Sequence, residues 1–300
     1  MVDRDAVLGF RFRRHQLDRP AASAASVTDV DLLDVGVADT GPDGARWALA
    51  ARGAPVTGRH PDDAPGATGL DPDLAYAWTV RSSPHAYRRE ELGAVAVATT
   101  PWSEADAAKR VFDAAKPLRE AGLAVLDALA HVARLERELV TEPTAKGELS
   151  GRLTERLEPP YLRACRPCDA THAYELPFRL SALQAGLELE PGTAPPVLHR
   201  IEGLAPSFFD GVGRPVEPRF DLVRGYLRFW GPGRPKDVAA FLDTTVKEVA
   251  AHWPDDVVEV EIDGVDDDNR IPRTILVDDV DALTAGADGL EGTVRLVGPY

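Results

Sequence analysis

The chain has 300 residues, of which 44% are hydrophobic, and its 34 basic and 49 acidic side chains give a formal charge of −15. This length accommodates two or three domains with buried cores, and no apolar run reaches the roughly 18 residues that a membrane span needs, so we expect a chain that does not span a membrane. The first residues lack the apolar stretch of a signal peptide, and two cysteines are too few for a disulfide-stapled secreted scaffold, so we expect a cytoplasmic protein.

The negative charge is concentrated near the end of the chain. Residues 254–291 hold 13 acidic side chains and two arginines, a net charge of −11, so the other 262 residues together carry only −4. Residues 266–268, three consecutive aspartates, fit a solvated loop, because the alternating ligands and distal glutamate of an EF-hand calcium loop are missing. The overall charge therefore does not exclude a nucleic-acid partner.

An arginine cluster is the first notable feature along the chain. The sequence Phe-Arg-Phe-Arg-Arg-His over residues 10–15 brings Arg11, Arg13 and Arg14 together. Two interpretations stay open for them: a solvated element with two buried phenylalanines, or contacts with the phosphates of a nucleic acid.

The first two thirds of the chain predict several helices and one clear strand. Residues 74–81 alternate as a strand does, after a loop rich in glycine, proline and aspartate over residues 53–73. Residues 123–139 place leucine and valine at three-to-four spacing, the pattern of an amphipathic helix. Further helices are predicted over residues 30–37, 45–50, 106–115 and, with Thr144 as the cap, up to residue 153.

The last third has the pattern of a winged helix-turn-helix unit. Asp221 caps a first helix, Pro235 opens a second, and Thr245 with Glu248 opens a third. Two alternating strands follow and form a hairpin. Its acidic tip would repel phosphates, so we expect this wing to be structural or to face a protein partner rather than DNA.

Several short motifs, in this order, resemble a known family. They are DVGVADTGPDGA over residues 34–45, WTVR over 78–81, CRPC over 165–168, LPFR over 176–179, PKDV over 235–238 and VRLVGP over 294–299. The chain resembles the bacterial winged-helix DNA-binding-domain proteins of the AlkZ-like alkylpurine DNA glycosylase superfamily over nearly its whole length.

The resemblance implies a fold and a domain organisation. The expected fold is mostly α with small β wings, built from tandem winged helix-turn-helix units in a C-shaped arrangement that holds duplex DNA. We divide the chain into an N-terminal winged-helix-like domain with the candidate site (residues 1–115), a second winged-helix-like unit with the CxxC motif (116–218), and a winged helix-turn-helix with an acidic wing (219–300).

The resemblance also implies a catalytic position. Active members hydrolyse the N-glycosidic bond of bulky alkylated purines through a motif of Gln, a hydrophobic residue, then Gln or Asp. That chemistry needs a polar side chain that holds water beside an oxocarbenium-like sugar. In the preferred register the motif falls on Val37, Ala38 and Asp39, which keeps the acid and loses the first glutamine; shifted by one residue it falls on 36–38 and keeps nothing polar. Asp39 is therefore the candidate general base, and a turn cap is its competing interpretation.

Arg81 and His85 match a stretch that reads Arg-Gly-Thr, one residue, then His in the family. On an extended segment a spacing of four places both side chains on one face, where they could hold a phosphate or line a DNA cleft. A salt-bridged arginine and a histidine at the edge of the core explain the pair equally well.

Cys165 and Cys168 form a CxxC motif with His172 four residues further on. Zinc needs four ligands and no second close pair exists, so two free thiols are the preferred interpretation and neither a metal nor another cofactor is predicted. Family members continue beyond the motif at residues 294–299, so we expect a chain that is short or truncated relative to them.

Three functions stay open from the sequence. The first is a DNA-binding winged-helix protein that acts on or guards alkylated duplex DNA, with or without catalysis. The second is an active alkylpurine DNA glycosylase that uses Asp39. The third is a regulatory module whose acidic C-terminal wing binds a protein partner.

Overall fold

The computed structural model describes residues 1–41, 43–55, 71–166, 169–264 and 272–295. This part of the chain is mostly helical and has small antiparallel sheets, which confirms the mostly-α prediction. None of the described helices combines the length and the hydropathy needed to cross a membrane. The three aspartates of the predicted wing tip, Cys168 and most of the predicted loop over 53–73 lie outside the described residues.

The described helices and strands follow one another along the chain in runs of one to four. The helices are α1 (Arg4–Arg14), α2 (Gly44–Ala50), α3 (Leu92–Thr99), α4 (Glu104–Arg110), α5 (Ala115–Glu120), α6 (Val125–Leu139), α7 (Lys146–Arg156), α8 (Glu175–Gln184), α9 (Leu222–Trp230), α10 (Pro235–Leu242), α11 (Val246–Ala251) and α12 (Val280–Ala285). The strands are β1 (Val37–Ala38), β2 (Leu74–Trp78), β3 (Pro84–Arg88), β4 (Thr144–Ala145), β5 (Leu162–Cys165), β6 (Ala170–Ala173), β7 (Leu187–Leu189), β8 (Val197–Arg200), β9 (Val257–Val260) and β10 (Arg273–Leu276).

A six-stranded sheet in the order β1-β3-β2-β7-β8-β4 forms the centre of the molecule. Every neighbouring pair in it is antiparallel, and the register places Tyr76 of β2 opposite Leu189 of β7. The sheet thus joins strands from both sides of residue 115, the first predicted domain boundary. The division into three domains stays a prediction.

Strand β2 confirms the alternation seen in the sequence. Leu74, Tyr76 and Trp78 belong to the main hydrophobic core, whereas Ala75 and Ala77 belong to a smaller cluster that includes residues of α3. Successive side chains of a strand point to opposite faces, so one strand contributes to both cores. This alternation also sends Tyr76 and Trp78 to the same side of the sheet.

The helices and the hairpin predicted for the last third are all present. The side chain of Asp221 accepts hydrogen bonds from the first-turn amides of α9, and Thr245 Oγ1 accepts one from the amide of Glu248 in α11. Strands β9 and β10 pair antiparallel, with Thr274 opposite Glu259. A tandem arrangement of such units across the whole chain stays a prediction.

Helix α1 packs against the C-terminal part of the chain. Val7 and Phe10 form a small hydrophobic cluster with Ile275 of β10 and Leu283 of α12. The contact is so close that a Cβ atom on Gly9 would lie 2.3 Å from the carbonyl oxygen of α12's C-terminal neighbour, Gly286. The first residues therefore pack against the C-terminal part of the chain.

Three sequence predictions are wrong in local detail. The strand predicted over residues 74–81 ends at Trp78, and Arg81 lies in a 3-10 turn and not on the extended segment that would align it with His85. Residues 30–37 do not form an α-helix. They form a 3-10 turn and then enter β1. Long-range contacts fix this segment: the Oη atom of Tyr87 fills the space where a Cβ on Gly36 would lie, at 2.5 Å, and Gly36 has a φ of +97°. Thr144 does not cap α7, because it belongs to β4 and Ala145 occupies the cap position.

Candidate functional site

Asp39 is held in place by a strand on one side and a helix on the other. Strand β1 pairs with β3, and the backbone amide of Asp39 extends this pairing by donating to the carbonyl of Pro84 at 2.8 Å. The chain then turns into α2, where the backbone amide of Ala45 donates to Asp39 Oδ1 at 2.9 Å. Asp39 therefore caps the first turn of α2, which was the alternative to a general base, but it uses only one of its two carboxylate oxygens to do so.

The carboxyl group of Asp39 also lines a cavity of about 490 Å³, which we call the Asp39 cavity. In the part of the chain that the structure describes, no donor is bonded to Oδ2. Burial raises the pKa of Asp39 above its ordinary value of 3.8, the hydrogen bond from Ala45 lowers it, and the charge of Asp43 raises it. The group is thus a half-buried carboxylate with one free oxygen and a strengthened affinity for a proton.

Two buried polar groups share the cavity with Asp39. Tyr76 is only 2% exposed and Arg46 only 7% exposed. Neither the hydroxyl of Tyr76 nor Nη2 of Arg46 has a hydrogen-bond partner among the described residues. Burial raises the pKa of Tyr76, the charge of Asp39 raises it further, and the charge of Arg46 lowers it, so the three groups lie within electrostatic reach of one another.

The described residues that line the cavity carry a net negative charge. Asp43 and Glu190 line it in addition to Asp39, Arg46 is the one cation among these described residues, and Asp43 Oδ1 lies 3.9 Å from Arg46 Nη1. Trp78 also lines the cavity but is only 3% exposed, because Phe178 and the guanidinium of Arg179 pack against its ring. Such a cavity suits a neutral or cationic ligand and disfavours a free anion.

Arg46, Tyr76 and Trp78 were missed by the sequence interpretation. The period-two pattern of β2 could have indicated that Tyr76 and Trp78 share a face. It could not have indicated that this face meets Arg46, because that meeting depends on the pairing of β1, β3 and β2 across fifty residues.

Arg81 and His85 lie beside a second, neighbouring cavity of about 550 Å³, which we call the His85 cavity. The segment from β1 into α2 separates the two cavities: Asp39 and Asp43 line the first, and Thr40 lines the second. The structure thus brings three of the predicted site residues to one region, since His85 pairs with the residue before Asp39.

His85 is a buried, neutral histidine. Its Nδ1 lies 2.9 Å from the carbonyl oxygen of Ser83 and 3.1 Å from Thr79 Oγ1. Burial lowers the pKa of His85 to about 4, against a smaller opposing effect of the bond with Ser83. The ring is therefore uncharged at neutral pH, and it cannot contribute a positive charge to phosphate binding there.

Arg81 is exposed and has no hydrogen-bond or ion-pair partner in the described ranges. Its φ is +55°, and that of Ser82 is also +55°. Ser82 occupies the position at which the resembling family has glycine, the residue that adopts this conformation without strain. A non-glycine pair in the left-handed region is a strained feature of the kind that gathers at functional sites.

The arginines of α1 are not brought to either Asp39 or Arg81. Arg11 Nε donates to the carbonyl of Gly231 at 3.0 Å, Arg13 donates to the carbonyls of Gly286 and Asp288, and Arg14 pairs with Asp279. All three side chains thus have partners in the C-terminal part of the chain, and these contacts hold α1 against it.

The CxxC motif is only partly described. Cys165 is buried on β5, and a side-chain hydrogen bond links it to His172 on the paired strand β6. Within the described residues no group of three or more His, Cys, Asp or Glu side chains could hold a metal ion.

Comparison with known proteins identifies the family of the chain. A profile of the family described as DNA glycosylase AlkZ-like matches residues 30–300. The structure is similar to that of the Streptomyces sahachiroi DNA glycosylase AlkZ, with a TM-score of 0.60 and 18% sequence identity, over 96% of this chain and 73% of that one. At this identity the likeness concerns the fold. Among curated proteins, no sequence matches significantly.

Proposed function

The chain belongs to the AlkZ-like DNA glycosylase family, and from that premise we propose that it is a DNA-repair protein that binds duplex DNA and releases alkylated purines by hydrolysis, with Asp39 as the general base. The observation that carries the proposal is the free Oδ2 oxygen of Asp39 in a cavity beside the unpartnered hydroxyl of Tyr76. Family membership supplies the substrate class, and the cavity supplies the reacting group.

The proposed reaction needs few groups, and we assign its general base to Asp39. The bond between C1′ of the deoxyribose and N9 of the purine breaks, both electrons go to N9, and a cationic alkylpurine leaves as a neutral base. Water adds to C1′, and its proton passes to Asp39 Oδ2. The ionised carboxylate also stabilises the positive charge that develops on the sugar. The burial that raises the pKa of Asp39 makes it a stronger proton acceptor.

Tyr76 offers an explanation for the missing glutamine. The motif position occupied by glutamine in active relatives is Val37, a buried core residue that cannot hold water. The hydroxyl of Tyr76 comes from β2 instead, and it lies near enough to Asp39 for that charge to raise the pKa of Tyr76. We assign to Tyr76 the positioning of the water that Asp39 deprotonates.

In this proposal the residues of the His85 cavity bind the DNA. The exposed side chain of Arg81 is available to a phosphate, and the buried, neutral His85 lines the same cavity. Arg11, Arg13 and Arg14 have structural partners, so the proposal does not rest on them.

The experiment is an incubation of the protein with a duplex that carries one 7-methylguanine, scored for released base and for abasic sites. Binding of the same duplex is measured at several salt concentrations, because phosphate contacts weaken as salt rises. Release of the base with salt-dependent binding is the expected result. Absence of release overturns catalysis, and absence of binding at low salt overturns the DNA partner.

A second function is favoured by one observation, the loss of the motif's glutamine at Val37. If Tyr76 does not replace it, the chain is a non-catalytic member that binds and guards alkylated DNA. Binding without base release in the same experiment identifies that outcome.

A further inference from the structure

Trp47 is the most exposed of the five tryptophans in the chain. It is 66% exposed, whereas Trp78 is buried and the other three are partly buried. All four of the others belong to the main hydrophobic core or pack against it, and Trp47 does not. An indole ring in water forgoes the large stabilisation that burial of aromatic surface provides. The fold therefore leaves the ring of Trp47 open to a partner.

The position of Trp47 on α2 places it on the ridge between the Asp39 cavity and the His85 cavity. Arg46 lines the first of these cavities, and Gly44 and Ala48 line the second. Successive residues of a helix are rotated by about 100°, so Trp47 points between the direction of Arg46 and that of Gly44 and Ala48. The same rotation directs it away from the buried side of α2, and it lines neither cavity itself.

The charges of the two cavities orient a nucleotide across this ridge. The described residues that line the Asp39 cavity are net negative and repel a phosphate, whereas the exposed Arg81 lines the His85 cavity and attracts one. A nucleotide with its sugar at Asp39 and its phosphate at Arg81 leaves the remaining duplex over Trp47. The inference rests on the proposed function, because it requires a nucleotide between these two residues.

We propose that Trp47 stacks on the base pair next to the lesion and fills the space that the damaged nucleotide vacates. A nucleotide that enters a concave site leaves the helical stack, which costs unstacking free energy. An apolar side chain inserted at the vacated step offsets this cost, because it replaces the lost stacking contact. Every base has a π-face, so the contact with an indole ring requires no particular sequence beside the lesion.

The test uses the full chain and two duplexes of the same sequence. One duplex carries 7-methylguanine on a 2′-fluorinated sugar whose glycosidic bond resists hydrolysis, and the other is undamaged. Trp47→Ala removes the ring, Trp47→Leu keeps apolar volume without a π-face, and Trp47→Phe keeps an aromatic ring. Phe112→Ala is the matched control, because Phe112 is 72% exposed and lines neither cavity. Affinity and the change of tryptophan fluorescence on binding are measured for each protein.

The expected losses follow from the contribution of one aromatic stacking contact. Trp47→Ala and Trp47→Leu should bind the damaged duplex about ten- to a hundredfold more weakly and the undamaged duplex less than about threefold more weakly, because an intact stack offers no vacated step. Trp47→Phe should stay within about fivefold of the wild type, and Phe112→Ala within about twofold. Binding of the damaged duplex should quench the fluorescence of the wild type, and Trp47→Phe should lack this change.

Several results would overturn the role of Trp47 while the DNA partner stands. They are an unchanged affinity of Trp47→Ala, an equal loss for damaged and undamaged duplexes, and an equal loss in Phe112→Ala. A wild-type fluorescence that changes with protein concentration in the absence of DNA would place Trp47 between copies of the chain instead.

The outcomes also separate this inference from the proposed catalysis. If the wild type binds the damaged duplex and releases no base from the unfluorinated lesion, catalysis fails, and the affinities still decide the role of Trp47. If the wild type binds neither duplex at low salt, the DNA partner and the stacking contact are both wrong. Because the ring is exposed, each variant should keep the thermal transition of the wild type, and a clearly lower transition for Trp47→Ala would contradict the exposed position from which the proposal starts.

Discussion

Asp39 Oδ1 accepts a hydrogen bond of 2.9 Å from the backbone amide of Ala45. This contact gives the two carboxylate oxygens different tasks, since one holds the first turn of α2 and the other faces the cavity. A cap and a general base are usually competing interpretations of one aspartate. Here the geometry allows both, and substitution can separate them.

Stability separates the cap from the base. Asparagine at position 39 keeps an oxygen that can accept the hydrogen bond from the amide of Ala45. The free energy of unfolding of Asp39→Asn should therefore lie within about 0.5 kcal/mol of the wild-type value, whereas that of Asp39→Ala should be about 1 kcal/mol lower. Urea unfolding at pH 7 measures both. Equal stabilities for the asparagine and alanine variants would show that the bond to Ala45 contributes nothing.

The raised pKa of Asp39 predicts the acid limit of activity. The general base must be ionised, so the rate should fall as pH decreases through the pKa of Asp39, and burial places that pKa above 3.8. Base release by the wild type is measured across pH, and spontaneous depurination and the rate of Asp39→Asn are subtracted. If the rate of base release falls to half at or below pH 3.8, the pKa of Asp39 is not raised, and the buried environment described for this carboxylate is contradicted.

Arg81 is predicted to contact a phosphate and not a base. Arg81→Gln should lower affinity to a similar degree for damaged and undamaged duplexes and reduce the slope of log affinity against log salt by about one. Arg119→Gln is the matched control, because Arg119 is exposed on α5 and lines neither cavity. A loss confined to damaged DNA, or an equal loss in the control, would contradict the phosphate contact.

Glu136 makes stability depend on pH in a defined direction. It is fully buried in α6, neither carboxyl oxygen has a partner among the described residues, and burial raises its pKa well above 4.5. Above about pH 4.3 the unfolded chain is ionised at this position while the folded chain keeps the proton, so stability falls by about 1.4 kcal/mol per pH unit until the folded pKa is reached.

Glu136→Leu should therefore be more stable than the wild type at pH 7, and the difference between them should grow from pH 5 to pH 7. Urea unfolding at several pH values measures this difference. Glu138→Gln, an exposed position on the same helix, should leave the pH dependence unchanged. A difference that stays constant with pH would mean that Glu136 is ionised in the folded protein.

Local patterns predicted those parts of the fold that local contacts determine. The alternation of β2, the apolar stripe of α6 and the caps at Asp221 and Thr245 all appear in the structure. Each of these depends on residues close in sequence. The site motif around Asp39 was found in the same way, because the resemblance concerns consecutive residues.

The errors share a different cause, which is contact across long distances in sequence. Thr144 looks like a cap until β8, more than fifty residues later, pairs with it. Arg13 looks like an exposed cation until its carbonyl partners arrive from residues 286 and 288. Arg46 looks like an ordinary helix-surface arginine, yet in the structure it is only 7% exposed and lies within electrostatic reach of Tyr76 on β2. None of these partners can be inferred from the neighbours of the residue in question.

The most direct test of the central claim is the single-turnover rate of base release by wild type and Asp39→Asn, with a 7-methylguanine duplex bound to saturation by both. The account predicts equal binding and a rate at least about a hundredfold lower for Asp39→Asn, the effect of removing a general base. Equal rates for the two proteins would contradict a catalytic role for Asp39.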